Sequence, residues 1–156
     1  MQGSTMTEDK IESTADAMEA SAMPIARVAH AKPGAPTAEQ TPLPKGVAAK
    51  PQDQKSPAEW AYERIILYIK NFEEQLNGDE EVGMGLAGGD VGTIHIQGVG
   101  FFAPDLITFY GNDGAGARTQ LVQHVSQLNV MLKAAPKQTE TPTRIGFDLA
   151  QQLEEG

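Results

Sequence analysis

All nine aromatic residues of this chain lie between Trp60 and Phe147, so a large apolar core can form only from about residue 56 onward. The first 55 positions hold six of the ten prolines and many Ala, Thr, Ser and Lys residues. Ordering such a stretch costs about 1–2 kcal/mol per residue in backbone entropy, and it has little apolar surface to set against that cost. The expected organisation is a disordered Pro/Ala-rich tail over residues 1–55 and one compact domain over residues 56–153. Within the tail, Ile11, Ala15, Met18 and Ala22 recur at helical intervals in Thr7–Met23, the spacing either of a segment that folds on a partner or of an Ala-rich spacer. From Pro24 to Lys55 the recurring prolines predict an extended, semi-stiff linker.

Charge divides at the same place. Residues 1–55 carry six Lys/Arg against seven Asp/Glu, and residues 56–156 carry six against fourteen, giving net charges of −1 and −8. An acidic domain repels phosphate backbones and anionic lipid surfaces, so no nucleic-acid or membrane partner is expected. Without cysteine, disulfides, thiolate metal sites and a Cys nucleophile are excluded. The opening Met1–Lys10 lacks the basic and apolar regions of a signal peptide, and a cytoplasmic location is expected.

The domain begins with Ser56-Pro57-Ala58-Glu59, a helix-capping sequence with Pro at the first helical position. The helix is predicted to run to about Asn77, before Gly78, with Ala61, Ile65, Tyr68, Phe72 and Leu76 on one stripe and Tyr62, Ile66 and Ile69 on a second. Trp60 and Leu67 fall outside both rows, which marks them as a subunit-contact surface or as part of a second core layer. Alternation then takes over. Val82, Met84 and Leu86 oppose Gly83 and Gly85; the turn signal Gly88-Gly89-Asp90 leads into Thr93–Gln97; Gly98 and Gly100 suggest a bulge before Phe101-Phe102; and Ala103-Pro104-Asp105 turns into a strand from Leu106 to Tyr110. Leu121, Val125, Leu128 and Leu132 are spaced for a second helix over 117–135. Ile145, Phe147 and Leu149 alternate as a fourth strand, with a helix over 147–153 as the rival. The expected fold class is α+β, in the order α-β-β-β-α-β, an antiparallel meander with helices on one face.

Two glycine patterns suggest phosphate binding. Gly83-Met84-Gly85-Leu86-Ala87-Gly88 fits GxGxxG, but a strand rather than a helix follows, so the anion-binding helix terminus is missing. Gly111 to Gly116 stands between a strand and the expected second helix, where Gly114, Gly116 and Arg118 make a candidate anion site. Ala117-Arg118-Thr119 replaces the Lys-Ser/Thr of a phosphate loop, and Asp113 adds negative charge.

His95, His124, Ser126, Asp105, Asp113 and Asp148 form no recognisable catalytic set. On a helix, His124 and Ser126 at a spacing of two do not face each other. His95, flanked by Thr93 and Gln97 on the polar side of its strand, marks either a shallow ligand site or a solvated or helix-covered face. No spacing of His, Asp and Glu suggests a metal site, and no cofactor is expected.

Trp60-Ala61-Tyr62-Glu63-Arg64-Ile65, the string Gln120 to Asn129, and Arg144-Ile145-Gly146-Phe147 together resemble a small bacterial family known only as a domain of unknown function, over about residues 57–149. The resemblance implies a bacterial protein and transfers no activity or ligand. It draws attention to the amide-rich Gln120, Gln123 and Gln127. The expected function is a non-enzymatic protein-interaction or oligomerisation module, tethered by the tail, with Trp60, Leu67 and these glutamines as surface. The alternative is a small-ligand or anion binder, an enzyme included, built on the Gly111–Arg118 loop, His95 and His124.

Overall fold

Ser56 starts the first long helix as its sequence predicts, its hydroxyl accepting the Glu59 amide at 3.1 Å with Pro57 in the first turn. The structure, a computed structural model, describes residues 26–32, 34–86 and 92–155. The helical spacing at Thr7–Met23 and the turn at 88–90 lie outside them. The elements run α1 (Lys45–Ala48), α2 (Pro57–Glu73), β1 (Glu80–Leu86), β2 (Ile94–Phe102), β3 (Leu106–Asn112), β4 (Arg118–His124), β5 (Val130–Pro136) and α3 (Gly146–Glu155). Single 3₁₀ turns lie at Ala38–Gln40, Gln52–Gln54 and Val125–Gln127.

The five strands form one antiparallel sheet in the order β4-β3-β2-β1-β5, with the expected irregularity at Ile96/Gly98 in β2. β4 and β5 are therefore the outer strands and run in the same direction. A flat sheet would hold them about 19 Å apart, four spacings of about 4.8 Å, and would leave the end of β4 and the start of β5 at opposite ends of the sheet as well. Residues 125–129 join them, and with one 3₁₀ turn in the path they reach only about 16 Å. The sheet curls so that the end of β4 reaches the start of β5, while the two strands form no ladder with each other. α2 packs across β1, β2 and β3, with Ile66, Ile69, Met84, Ile96, Ile107 and Phe109 fully buried between them.

The class is α+β, in a single domain. Within the domain expected over residues 56–153, two stretches of backbone differ in type from the sequence reading. Residues 117–135 are β4, a 3₁₀ turn and β5 instead of a helix. The spacing of Leu121, Val125, Leu128 and Leu132 identified inward residues correctly, since all four pack on the core. Their periodicity comes from two strands and a turn, and the β-branched Thr119, Val122 and Val130 suit that backbone. The second difference is at the C-terminus, where Gly146–Glu155 is the rival helix and not a fourth strand. Ile145, Leu149 and Leu153, four apart, are buried on its inner side. In α2 the buried face is Ala58, Ile66 and Ile69, whereas Tyr68 of the expected stripe is exposed.

Glu73, at the end of α2, accepts the Ile145 amide at 2.9 Å and the Gly146 amide at 2.7 Å, placing a buried carboxylate on the N-terminus of α3. Residues 36–55, assigned to the tail by the sequence, pack along this helical layer. Val47 is fully buried, Pro36 accepts from Asn71 Nδ2 at 2.7 Å, the Tyr68 hydroxyl donates to Glu39, and the Lys45 amide donates to Glu154. Leu43 and Val47 anchor this strap without any aromatic residue, so aromatic content could not show it.

Hydrogen-bonded pairs alternate along an antiparallel ladder, so a few bonds fix the direction of every backbone group. The Asp113 amide bonds Ala117 O and the Val125 amide bonds Asp105 O. Odd-numbered β4 residues therefore bond β3, while Arg118, Gln120, Val122 and His124 turn their backbone groups to the open edge. The Lys137 amide bonds Asp79 O, so Val130, Leu132, Ala134 and Pro136 face outward from β5. Pro136 thus occupies a position where a missing N–H costs no ladder bond.

Gly111 lies where β3 passes closest to β2: a Cβ there would stand 2.1 Å from His95 O. Gly111→Ala is expected to lower stability by about 1–3 kcal/mol, whereas Gly78→Ala, with open space around it, should stay within about 0.5 kcal/mol. Urea unfolding of both variants checks this.

Candidate functional site

The Gly111–Arg118 segment is a β-hairpin connection, and no helix follows it. Gly111 and Asn112 end β3. Asp113 Oδ1 accepts the amides of Ala115 and Ala117, both at 2.9 Å, and Gly116 adopts φ +88° to close the turn. The loop's own carboxylate occupies the amides that an anion would need. Gly114 and Arg118 are exposed beside it.

His95 is buried, contrary to a solvated strand face. Its Nδ1 lies 2.8 Å from Glu81, whose other oxygen accepts the Thr143 amide at 3.0 Å. The loop over 137–144, rather than a helix, covers this side of the sheet. Asn112 Oδ1, without a hydrogen-bond partner, borders the same void of about 10 Å³, room for a single water molecule. The cluster pins a loop onto the sheet and is too small to take a metabolite.

His124 and Ser126, which do not face each other on a helix, are brought together by the 3₁₀ turn. His124 Nδ1 accepts the Ser126 amide at 3.0 Å and lies 2.7 Å from its hydroxyl. That leaves the imidazole proton on Nε2, 3.3 Å from Asp105 Oδ2. The chain Asp105–His124–Ser126 has the order of a proton relay. Yet Asp105 and His124 side chains are both 46% exposed, where water screens the carboxylate, and His124 serves as the cap of the turn. His95 pairs with Asn112 at one end of β3 and His124 with Leu106 at the other, about 20 Å apart along the strand. The two histidines do not share a site.

The glutamines separate as well. Gln120 is exposed on the outer sheet face, Gln123 donates to Gln127 O at 3.3 Å, and Gln127 Oε1 accepts the His124 amide at 3.0 Å. Trp60 is only 6% exposed, with Lys55 Nζ 4.2 Å and the Arg64 guanidinium 5.4 Å from its ring centre. It belongs to the core and not to a contact surface. Leu67 is half-buried in an open groove of about 740 Å³ between α2, α3 and residues 41–44, beside the exposed Phe147.

The broad exposed feature is the convex face of β2, β3 and β4. Cross-strand pairing sets Gly98, Tyr110 and Gln120 in one row, Gly100, Thr108 and Val122 in the next, and Phe102, Leu106 and His124 in the third. The Tyr110 ring lies over both glycines, within 3.6 Å of where their Cβ atoms would be. Phe102 is 74% exposed and Val122 is 55% exposed. Sequence reading missed this face, although Phe101-Phe102 signals it. Consecutive residues of a strand point to opposite sides, so one Phe had to lie outside; Phe101 turns to Tyr62, with ring centres 4.8 Å apart.

Residues 52–148 match the family of unknown function DUF6173. The chain belongs to this family. No curated protein and no solved structure matches it. The DUF6173 segment contains all five strands, the convex face and the first turn of α3, and it excludes the strap ahead of residue 52. No helix among the described residues is long and apolar enough to cross a membrane, and no group of three or more His, Cys, Asp or Glu among them is placed to hold a metal.

The DUF6173 segment also contains a buried ion pair. Lys55 Nζ donates to Glu63 at 2.7 Å and to Val47 O at 2.5 Å. Burial holds the Glu63 carboxyl above its ordinary value of 4.5 despite Lys55, and burial together with the neighbouring Glu63 raises the Tyr62 phenol. Lys55→Met should cost about 3 kcal/mol at pH 7, because it strands a buried carboxylate. Without Lys55, which holds the value down, burial raises the Glu63 carboxyl further, so the loss is full above the variant's value and shrinks as pH falls from there toward the wild type's own raised value. Lys55→Met/Glu63→Leu should recover most of the loss. Denaturant unfolding at pH 7 and pH 4.5 measures all three effects.

Proposed function

We propose that this protein is a non-enzymatic interaction module whose working surface is the convex face of β2–β4. The observation that carries this reading is the cluster of Phe102, Tyr110 and Val122, large apolar side chains on adjacent strands that stay open to solvent while the concave side holds the core. Exposed apolar groups gathered on one face, rimmed by Gln120 and His124, are what a protein partner buries. The acidic balance of the domain favours a protein over a nucleic acid or an anionic lipid surface. The setting proposed with this reading is a bacterial cell, as the family resemblance implies, with the cytoplasm as the proposed location.

The anion-binding alternative loses its support where Asp113 fills the loop amides. An enzymatic reading would rest on Asp105–His124–Ser126, and the solvent exposure of that chain speaks for a turn cap instead.

Phe102→Asp is expected to abolish retention of a partner captured from the native host by full-length protein, with no change in thermal midpoint. Phe147→Asp, which alters an exposed Phe in the helical layer, should leave retention intact. Retention unaffected by Phe102→Asp, or no protein retained by the wild type, would overturn the reading.

A further inference from the structure

We propose that two copies of this chain pair through their β4 strands, antiparallel and centred on Leu121, so that the two sheets join. The pairing goes beyond the interaction-module reading, since it uses the edge of β4 and leaves Phe102, two strands away, open for a partner on the convex face.

The two outer strands are not equivalent. β5 carries Lys133 and ends in Pro136, two features that blunt an edge against pairing. β4, with the sequence Arg-Thr-Gln-Leu-Val-Gln-His, has neither Pro, Lys nor Gly, and its register with β3 is unbroken over all seven residues. It is the unprotected edge of the sheet.

The direction of its backbone groups suits self-pairing. Gln120 and Val122 turn their N–H and C=O groups outward, away from β3. With Leu121 on the two-fold axis, Gln120 stands opposite the partner's Val122, and Val122 opposite the partner's Gln120. Each pair exchanges N–H···O bonds in both directions, as a hydrogen-bonded antiparallel pair requires. Gln127 caps the outward amide of His124, so the new ladder ends where the 3₁₀ turn begins.

Charge gives the same alignment. It sets Arg118 opposite the partner's His124, whose imidazole lies 3.3 Å from Asp105 in this chain's own geometry. The exposed guanidinium thus meets a carboxylate on the partner, and the two-fold axis repeats the contact. One contact patch serves both copies, the isologous arrangement of a closed dimer. A strand-edge interface lies at the small end of specific interfaces, so association should depend on concentration.

Sedimentation of the full chain over a wide concentration range should show a weight-average mass that rises from 16.7 kDa toward twice that value. Val122→Pro removes an outward N–H that β3 does not use, so the fold should survive, as far-UV circular dichroism would show, while the mass stays at the monomer value throughout. Arg118→Asp should weaken association by about tenfold or more, and Arg118→Asp with Asp105→Arg should restore it. The charge-exchange pair carries the test if Val122→Pro does not fold. A wild type that stays monomeric overturns the proposal and leaves the module reading to the capture experiment. Association indifferent to Val122→Pro and to Arg118→Asp also overturns it, and puts the contact elsewhere on the module.

Discussion

The architecture depends on a connection too short for a flat sheet. Residues 125–129 must carry the chain from one outer strand to the other, and they can do so only if the sheet bends until its edges approach. Bending gives the sheet an inside and an outside. α2 fills the inside, with Ile66 and Ile69 against Ile107, Phe109 and Met84, and the side chains that cannot fit there, Phe102, Tyr110 and Val122, collect on the outside. The exposed face and the packed core follow from the same curvature.

Local signals with a stereochemical cause were the legible part of the sequence. The Ser56-Pro57 helix start, the glycine-marked irregularity of β2 and the meander through β3 all depend on backbone preferences that a few residues express. Residues 117–135 were not legible in the same way, because inward residues at intervals of three and four fit a helix as well as two strands joined by a tight turn. What decides between them is remote. β5 pairs along the side of β1 that β2 leaves free, a contact that no local propensity reveals. The C-terminal helix depends likewise on Glu73, 72 positions away from the amide of Ile145.

The chemistry of the charged residues was the least legible. Glu73 and Glu81 stand in acidic runs with Glu74 and with Asp79-Glu80, a pattern that fits a solvated helix end and turn, yet both are buried with their carboxylates bonded to the backbone of residues 143–146. Asp113 seemed to weaken an anion loop and in fact completes it from within. His124 and Ser126 could not meet on a helix and do meet on a 3₁₀ turn. In each case the residue was noticed, while its partner was set by tertiary geometry that spacing does not encode.

The strap over residues 36–55 changes where the folded unit begins. Lys55 lies one residue ahead of the helix-capping Ser56, and the carbonyl that accepts its second bond belongs to Val47. A chain cut at the capping serine would keep every strand and yet leave Glu63 in the interior with no cation, while Trp60 lost the ammonium group over its ring. The smallest autonomous unit therefore starts ahead of Val47, several residues before the point at which the family's shared segment is first recognisable.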